Sequence, residues 1–396
     1  MRSGIVAIEG LMFSWVHPKM LYMGVGALRG LENIVHGMEP RGILMVTGPN
    51  VRSLGIADRA LEAMGSYKHR VDIFINPKPE PELSVVEQCA QQVREQRYDL
   101  IVGLGGGSPL DVAKGAAVVA VHEGGMKPLL GMNRLQRGGI PEVLIPTTAG
   151  SGTDVTQAVV VTVPEEGSKR SIWDPRTMAE AVIVDPELMV KMPPRLTAET
   201  GLDAMVHAME GYTARGANPL SRMYTVEAMR LIGSYLPRAY RNGADMEARE
   251  AMARGATLAA IGMTNSGLGG IHGLALGIDS REYFNHCRSL AVLAPWVMRF
   301  NRVGNEALYA DIAKALGEKV EDCSLDEASS RASEAVLRIF GEIEVSPYLK
   351  DYGVRKDEVR SLALKAYTLG QRLLPMNCRD ISQEDALALF QDAFGA

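Results

Sequence analysis

The chain is short of cysteine, of surplus positive charge and of long apolar runs, and each shortage excludes something. Four cysteines occur in 396 residues, Cys89, Cys287, Cys323 and Cys378, with no CxxC pair among them. Thiols so few and so scattered do not build a disulfide scaffold and fit a reducing cytoplasm. Lys and Arg number 42 against 47 Asp and Glu, a net charge of −5. A mildly acidic chain without a basic stripe is not composed like a nucleic-acid binder. No apolar run approaches the roughly 18 residues of a membrane helix; Ala116–Val121 is among the longest. The opening MRSGIVAIEGLMFSWVHPKM lacks the continuous apolar stretch and small-residue cleavage site of a secretory signal. The expectation is a cytoplasmic protein with neither a membrane nor a nucleic acid as partner.

What is present is alternation. Gly42–Val46, Val71–Ile75, Asp99–Val102, Val143–Ile145, Ala158–Val163 and Ala181–Val184 read as strands, and Ser53–Met64, Leu83–Gln96 and Pro109–Val121 as helices between them. Strand and helix in turn imply parallel β-α-β units around a buried sheet. After Asp185 the texture changes. Met192-Pro193-Pro194-Arg195 breaks the pattern, and from Thr197 onward the period is helical. The reading is an α/β domain over residues 1–190 and an all-helical domain over 191–396, with a ligand cleft between them.

Two loops and a set of histidines carry chemistry. The strand Asp99–Val102 runs into Gly103-Leu104-Gly105-Gly106-Gly107-Ser108 and a helix with Pro109 in its first turn. Exposed N–H groups at such a helix start favour a phosphate, although a tight turn without a ligand has the same composition. Thr147-Thr148-Ala149-Gly150-Ser151-Gly152-Thr153-Asp154 offers hydroxyls at another strand end, a composition that ordinary surface loops share. Asp203 and His207 stand four apart on a helix, on one face. His272 follows NSGLGGI, and His286 comes fourteen residues later. Three imidazoles and a carboxylate suit a divalent cation. A surface Asp203–His207 pair with scattered, hydrogen-bonded histidines is the plainer alternative.

Together these segments resemble the iron-containing (group III) alcohol dehydrogenase family. GGGSPLDVAK at 105–114 is similar to its GGGSxxDxAK loop, and PTTAGSGTD at 146–154 to its PTTxGTGSE segment. GLDAMVHAME at 201–210 looks like its metal helix, GLGGIHG at 267–273 and His286 keep the spacing of its other histidines, and Asn377-Cys378-Arg379 its terminal NPR. The resemblance implies a dinucleotide-binding α/β domain with a parallel sheet, an all-α metal-binding domain, and a homo-oligomer. It implies Asp203, His207, His272 and His286 as ligands of a catalytic metal, iron first and zinc second. It also implies NAD or NADP held by Gly106, Gly107 and Ser108, with Asp111, Thr147, Thr148, Thr153 and Lys169 at cofactor positions. The activity implied is interconversion of a small primary alcohol and its aldehyde. Arg281 and Arg288, flanking His286, admit an anionic aldehyde.

Two departures qualify this. The family commonly carries a relay histidine four residues after the ligand matched by His272, and this chain has Leu276 there. Water, or a group such as Asp279 or Tyr283, would have to replace it; otherwise the chain is a catalytically impaired binding or assembly member. Where the family often has an acid after the first strand, this chain has Gly48, which removes a repulsion against the 2′-phosphate of NADP. Arg52 is the candidate partner for that phosphate. A metal- and NAD-using lyase resembling dehydroquinate synthase is the competing enzyme class.

Overall fold

The computed structural model describes residues 12–78, 80–166, 168–278 and 284–395. Among them, strands β1 (Met20–Met23), β2 (Ile43–Thr47), β3 (Val71–Ile75), β4 (Leu100–Gly105), β5 (Gly131–Met132), β6 (Glu142–Pro146), β7 (Ala158–Val163), β8 (Ser168–Trp173) and β9 (Ala181–Val184) precede the helical half. One sheet has the order β1-β9-β6-β4-β2-β3, and every pairing in it is parallel. Both of its faces are covered, which is why its central strands read as unbroken apolar runs. Ile43, Met45, Val102, Val143 and Ile183 share a core with α1 (Leu31–His36) and α3 (Ile56–Ala63). Leu44, Val46, Ile101, Leu144 and Val182 turn to the side of α4 (Leu83–Gln96) and α5 (Gly107–Val119).

Three details differ from the pattern in the sequence. The helix expected over Ser53–Met64 is two pieces, α2 (Pro49–Ser53) and α3, because Gly55 takes a φ of +73° between them. Strand β7 is not in the parallel sheet. It pairs antiparallel with β8, from Ala158 opposite Trp173 to Val163 opposite Ser168, and β5 joins β8 to complete a three-stranded sheet. Strand β1 adds an edge to the main sheet, Met20 opposite Ala181, with the side chains of Met20, Leu21 and Tyr22 exposed.

The helical half comprises α6 (Pro194–Thr213), α7 (Pro219–Arg241), α8 (Met246–Thr264), α9 (Gly270–Ala275), α10 (His286–Asn301), α11 (Glu306–Ala315), α12 (Leu325–Glu342), α13 (Val359–Gly370) and α14 (Gln383–Phe394). Reciprocal capping boxes start α7 at Asn218 and Ser221, α12 at Ser324 and Glu327, and α14 at Ser382 and Asp385. Helix α6 is the central one, buried continuously from Gly201 to Thr213. Among the described residues, no helix is long and apolar enough to cross a membrane.

Two features place the site. Chain connections leave β2 toward β3 on one side and leave β4 toward β6 on the other, and in open α/β sheets the crevice at such a reversal takes the ligand. The loop after β6 is jammed against the helical half. A Cβ at Gly150 would lie 2.6 Å from Cβ of Thr200 in α6, and one at Gly152 would lie 2.0 Å from Cβ of Ala260 in α8.

Candidate metal and cofactor site

Helix α6 carries Asp203 and His207 one turn apart, and the start of α9 carries His272 beside them. Oδ1 of Asp203 is 3.5 Å from Nε2 of His207, 3.7 Å from Nε2 of His272 and 3.9 Å from Nε2 of His286. Asp203, His207 and His272 are buried, and their ligand atoms all lie within 4.8 Å of one another. His286, the first residue of α10, is 28% exposed at the side chain and marks the open rim. Ligands about 2.1 Å from a tetrahedral cation sit roughly 3.4 Å apart, so these spacings are those of groups sharing an ion. They are too long for direct hydrogen bonds. Oδ1 of Asp203 and Nε2 of His272 are accordingly buried without a hydrogen-bond partner among the described residues, as is Nδ1 on the far side of the His207 ring. The residues present therefore fit a divalent cation.

Electrostatics agree. Burial pushes the Asp203 carboxyl up, but His207, His272 and His286 outweigh it and hold it well below the usual carboxylate range. Burial, with the neighbouring imidazoles, brings His207 down to about 4 against the pull of Asp203. Burial works the same way on His272, but the nearby charge of Asp203, with the hydrogen bond and charge of Glu210, prevails and lifts it to about 9. An ionised carboxylate and neutral imidazoles are the ligating forms, and binding displaces any proton left on them.

Glu210 has a part that sequence reading missed. Its carboxylate accepts from Nδ1 of His272 at 2.6 Å and from the N–H of Ile271 at 2.6 Å. It stands seven residues after Asp203 and three after His207, hence on their helix face. That spacing was the available signal. Asn377 anchors the same place: its Oδ1 accepts from Gly270 N–H at 3.0 Å and from Asn301 Nδ2 at 2.9 Å.

The glycine-rich turn lies at the sheet crevice. Gly48 follows β2, and Gly105 to Ser108 join β4 to α5. A Cβ at Gly106 would come 3.3 Å from Thr148 Cγ2, and one at Gly107 would come 2.8 Å from Ser151 Oγ. The two polar loops are therefore neighbours, and their glycines leave a cradle that side chains would fill. Ser108 Oγ accepts from Asn76 Nδ2 at 2.7 Å, tying the start of α5 to the end of β3. Thr147 N–H donates to Gly105 O at 2.8 Å, and the Thr153 hydroxyl lies 3.3 Å from that of Ser151.

Other residues named from the sequence are committed to protein partners. Asp111 Oδ1 accepts from Val160 N–H at 3.0 Å, fastening α5 to β7. Lys169 pairs with Glu80 at 2.9 Å, Arg52 with Asp58 at 2.7 Å, and Arg288 with Glu199 at 3.2 Å. Asp279, Arg281 and Tyr283 lie outside the described residues. Leu276 caps α9 one turn after His272, half-buried.

Comparison with known proteins extends this along the chain. A family model for iron-containing alcohol dehydrogenase matches residues 18–186, and one for the C-terminal part of the Fe-containing alcohol dehydrogenase family matches residues 197–394. Long-chain-alcohol dehydrogenase 1 of Geobacillus thermodenitrificans is 36% identical over 96% of this chain and 96% of its own. Sulfoacetaldehyde reductase of Bilophila wadsworthia is 30% identical over 96% of this chain and 98% of its own. A solved 1,3-propanediol oxidoreductase superposes with a TM-score of 0.92 at 31% identity, covering 97% of this chain and 100% of that one. Agreement that runs through both halves leaves one assignment: the chain belongs to the iron-containing alcohol dehydrogenase family, an enzyme family of nicotinamide-linked alcohol dehydrogenases and aldehyde reductases.

Proposed function

We propose that this chain interconverts a small primary alcohol and its aldehyde, using NAD(P) in the α/β half (1–190) and a divalent cation in the helical half (191–396). The observation that carries the reading is the approach of three imidazole Nε2 atoms to one oxygen of Asp203, at 3.5, 3.7 and 3.9 Å. When bound, the cation supplies Lewis acidity at the substrate oxygen and the nicotinamide supplies the hydride chemistry. Asp203, His207, His272 and His286 hold the cation, iron ahead of zinc on family grounds, and Glu210 orients His272.

Backbone N–H groups of Gly107 and Ser108 fall in the first helical turn, where the helix itself offers no acceptor, and these receive the cofactor's phosphates. Gly106 lets them approach, while Thr147, Thr148 and Thr153 line the adjoining loop. Asp111 and Lys169 support the crevice from α5 and β8. The exchanged proton passes to water at the exposed rim by His286, because Leu276 neither accepts nor donates one. Arg288 pairs with Glu199, whose same oxygen also accepts from Arg195, so the cluster keeps a positive balance and an anionic aldehyde stays within the reading beside a neutral one. A cytoplasmic homo-oligomer accompanies this reading; light scattering after size exclusion measures the assembly.

The test is purified protein with Fe²⁺, Zn²⁺ or Mn²⁺, both nicotinamides, and short neutral and anionic aldehydes and alcohols. Metal-dependent net oxidation of NAD(P)H by a short aldehyde is the expected result, and the neutral and anionic members of the panel decide the substrate's charge. Turnover of a substrate with no net NAD(P)H change would mark a lyase. Full metal occupancy without activity on the whole panel would mark a binding protein.

A further inference from the structure

Lys114 is fully buried two turns into α5, and its ammonium faces carbonyls and not carboxylates. Nζ donates to Thr153 O at 2.9 Å, Thr156 O at 2.6 Å and Ala158 O at 2.8 Å. An ammonium has three donors and no acceptor, so this set uses all of them. The charges of Glu142, Asp111 and Asp154 act on it at longer range. Burying a cation is costly, and here three buried carbonyls that would otherwise lack a donor offset that cost. The side chain is therefore a tether between α5 and residues 153–158.

The segment it grips is the one wedged between the two halves. On its far side Gly150 abuts Thr200 and Gly152 abuts Ala260. Gln157 donates its N–H to Thr264 Oγ1 at 3.3 Å and its Nε2 to Thr264 O at 3.1 Å. Thr200 is three residues before Asp203 on α6. At its near end Ser151 sits against Gly107, the first residue of α5. One loop thus touches the cofactor turn and the metal helix, and one side chain pins it to α5.

We propose that Lys114 is a positioning residue: by fixing residues 153–158 it sets where the nicotinamide crevice stands relative to the metal helix. This rests on the dinucleotide and metal roles given above, with hydride passing between the halves. A displacement of about 1 Å in such a geometry costs up to roughly a hundredfold in rate. Lys114 touches no substrate and acts only through the loop.

The experiment uses the full-length, metal-loaded protein with Lys114→Met, which keeps the aliphatic stem, and Thr264→Val, which loosens the same loop from the other side without removing a buried charge. Two readouts are taken. The first is amide exchange in α6 around Thr200 with and without NAD(P)H. The wild type gains protection there on cofactor binding, and both variants lose that gain while still binding NAD(P)H. The second is turnover of a primary alcohol and its C1-deuterated form. For Lys114→Met, kcat falls by about 10- to 100-fold and the isotope effect rises, while metal content holds and the NAD(P)H dissociation constant shifts by less than about threefold. Thr264→Val shows the same signature at about three- to tenfold in kcat. A lowered melting temperature with unchanged exchange coupling and unchanged isotope effect per folded subunit would make Lys114 merely structural and overturn the proposal. So would a wild type whose α6 gains no protection. A wild type that shows the coupling but turns over nothing would defeat the functional reading instead, and the exchange data alone would then decide the role of Lys114.

Discussion

Oε2 of Glu210 lies 2.6 Å from Nδ1 of His272, and both side chains are 5% exposed. A carboxylate there fixes the tautomer of the neutral, ligating ring: Nδ1 keeps its hydrogen and the lone pair falls on Nε2, the nitrogen that faces Asp203. The same carboxylate takes the N–H of Ile271, so it also sets the start of α9. Glu210→Gln retains size and one acceptor but offers an NH₂ group that competes with the imidazole donor. Metal affinity should fall by about 10- to 100-fold while the fold survives. Timed metal loss to a chelator, against an unchanged circular dichroism spectrum, checks it, and wild-type retention would dismiss the role given to Glu210.

On the proposed cofactor site, Gly48 is the position expected to bear on cofactor preference. Its φ of −104° suits any residue, and a Cβ there would meet Pro109 Cγ at an ordinary 3.5 Å. Gly48→Asp should therefore fold. Its carboxylate would repel a 2′-phosphate and accept from ribose hydroxyls, so the ratio of kcat/KM for NADH to that for NADPH should rise by about tenfold or more. An unchanged ratio would place the adenosine ribose elsewhere.

Much of this was legible in the sequence because burial on both sheet faces imprints itself on composition. Val46, Ile101 and Val143 announce strands by that route. The edge strand at Met20–Met23 was missed, being four residues long and largely exposed. So was β8, whose SKRSIW mixes charge with apolar residues. Asp203, His207, His272 and His286 were nameable because imidazoles are scarce here and their spacing is distinctive. Glu210 and Lys114 were not singled out. A glutamate or lysine in a helix is ordinarily solvated, and only packing shows that one is bonded to His272 and the other to three carbonyls.

The buried carboxyls of the α/β half predict a pH dependence of stability. Burial pushes Asp111 up to about 7, though Val160 N–H and Lys114 pull it down, and burial likewise brings Asp154 to about 6. In the unfolded chain both titrate near 3.9. Between those values the native state holds protons that the unfolded state has released. Their contribution to stability is thus complete below about pH 4 and lost as pH rises through about 7. Asp111→Asn still accepts from Val160 and does not titrate. Its stability relative to wild type should improve from pH 5 to about pH 7 and level off above that, read as urea midpoints at each pH. Parallel midpoints across that range would show that Asp111 stays ionised when buried.

Leu276 offers the sharpest kinetic test. It lies four residues after His272, on the same side of a helical turn, and is half-buried at the end of α9. On the proposed reading proton exchange goes to water, and the pH profile of kcat should lack a limb from an imidazole at this position. Leu276→His places one there with an ordinary pKa of about 6.5. General acid–base catalysis by a positioned side chain is worth about 10²–10⁴-fold, so even imperfect placement should raise kcat at pH 7 by about tenfold. A new limb between pH 6 and 7, together with a solvent isotope effect that shrinks, would show the introduced imidazole carrying the proton. Superimposable profiles for the two proteins would mean that the proton leaves by a path that does not pass this residue.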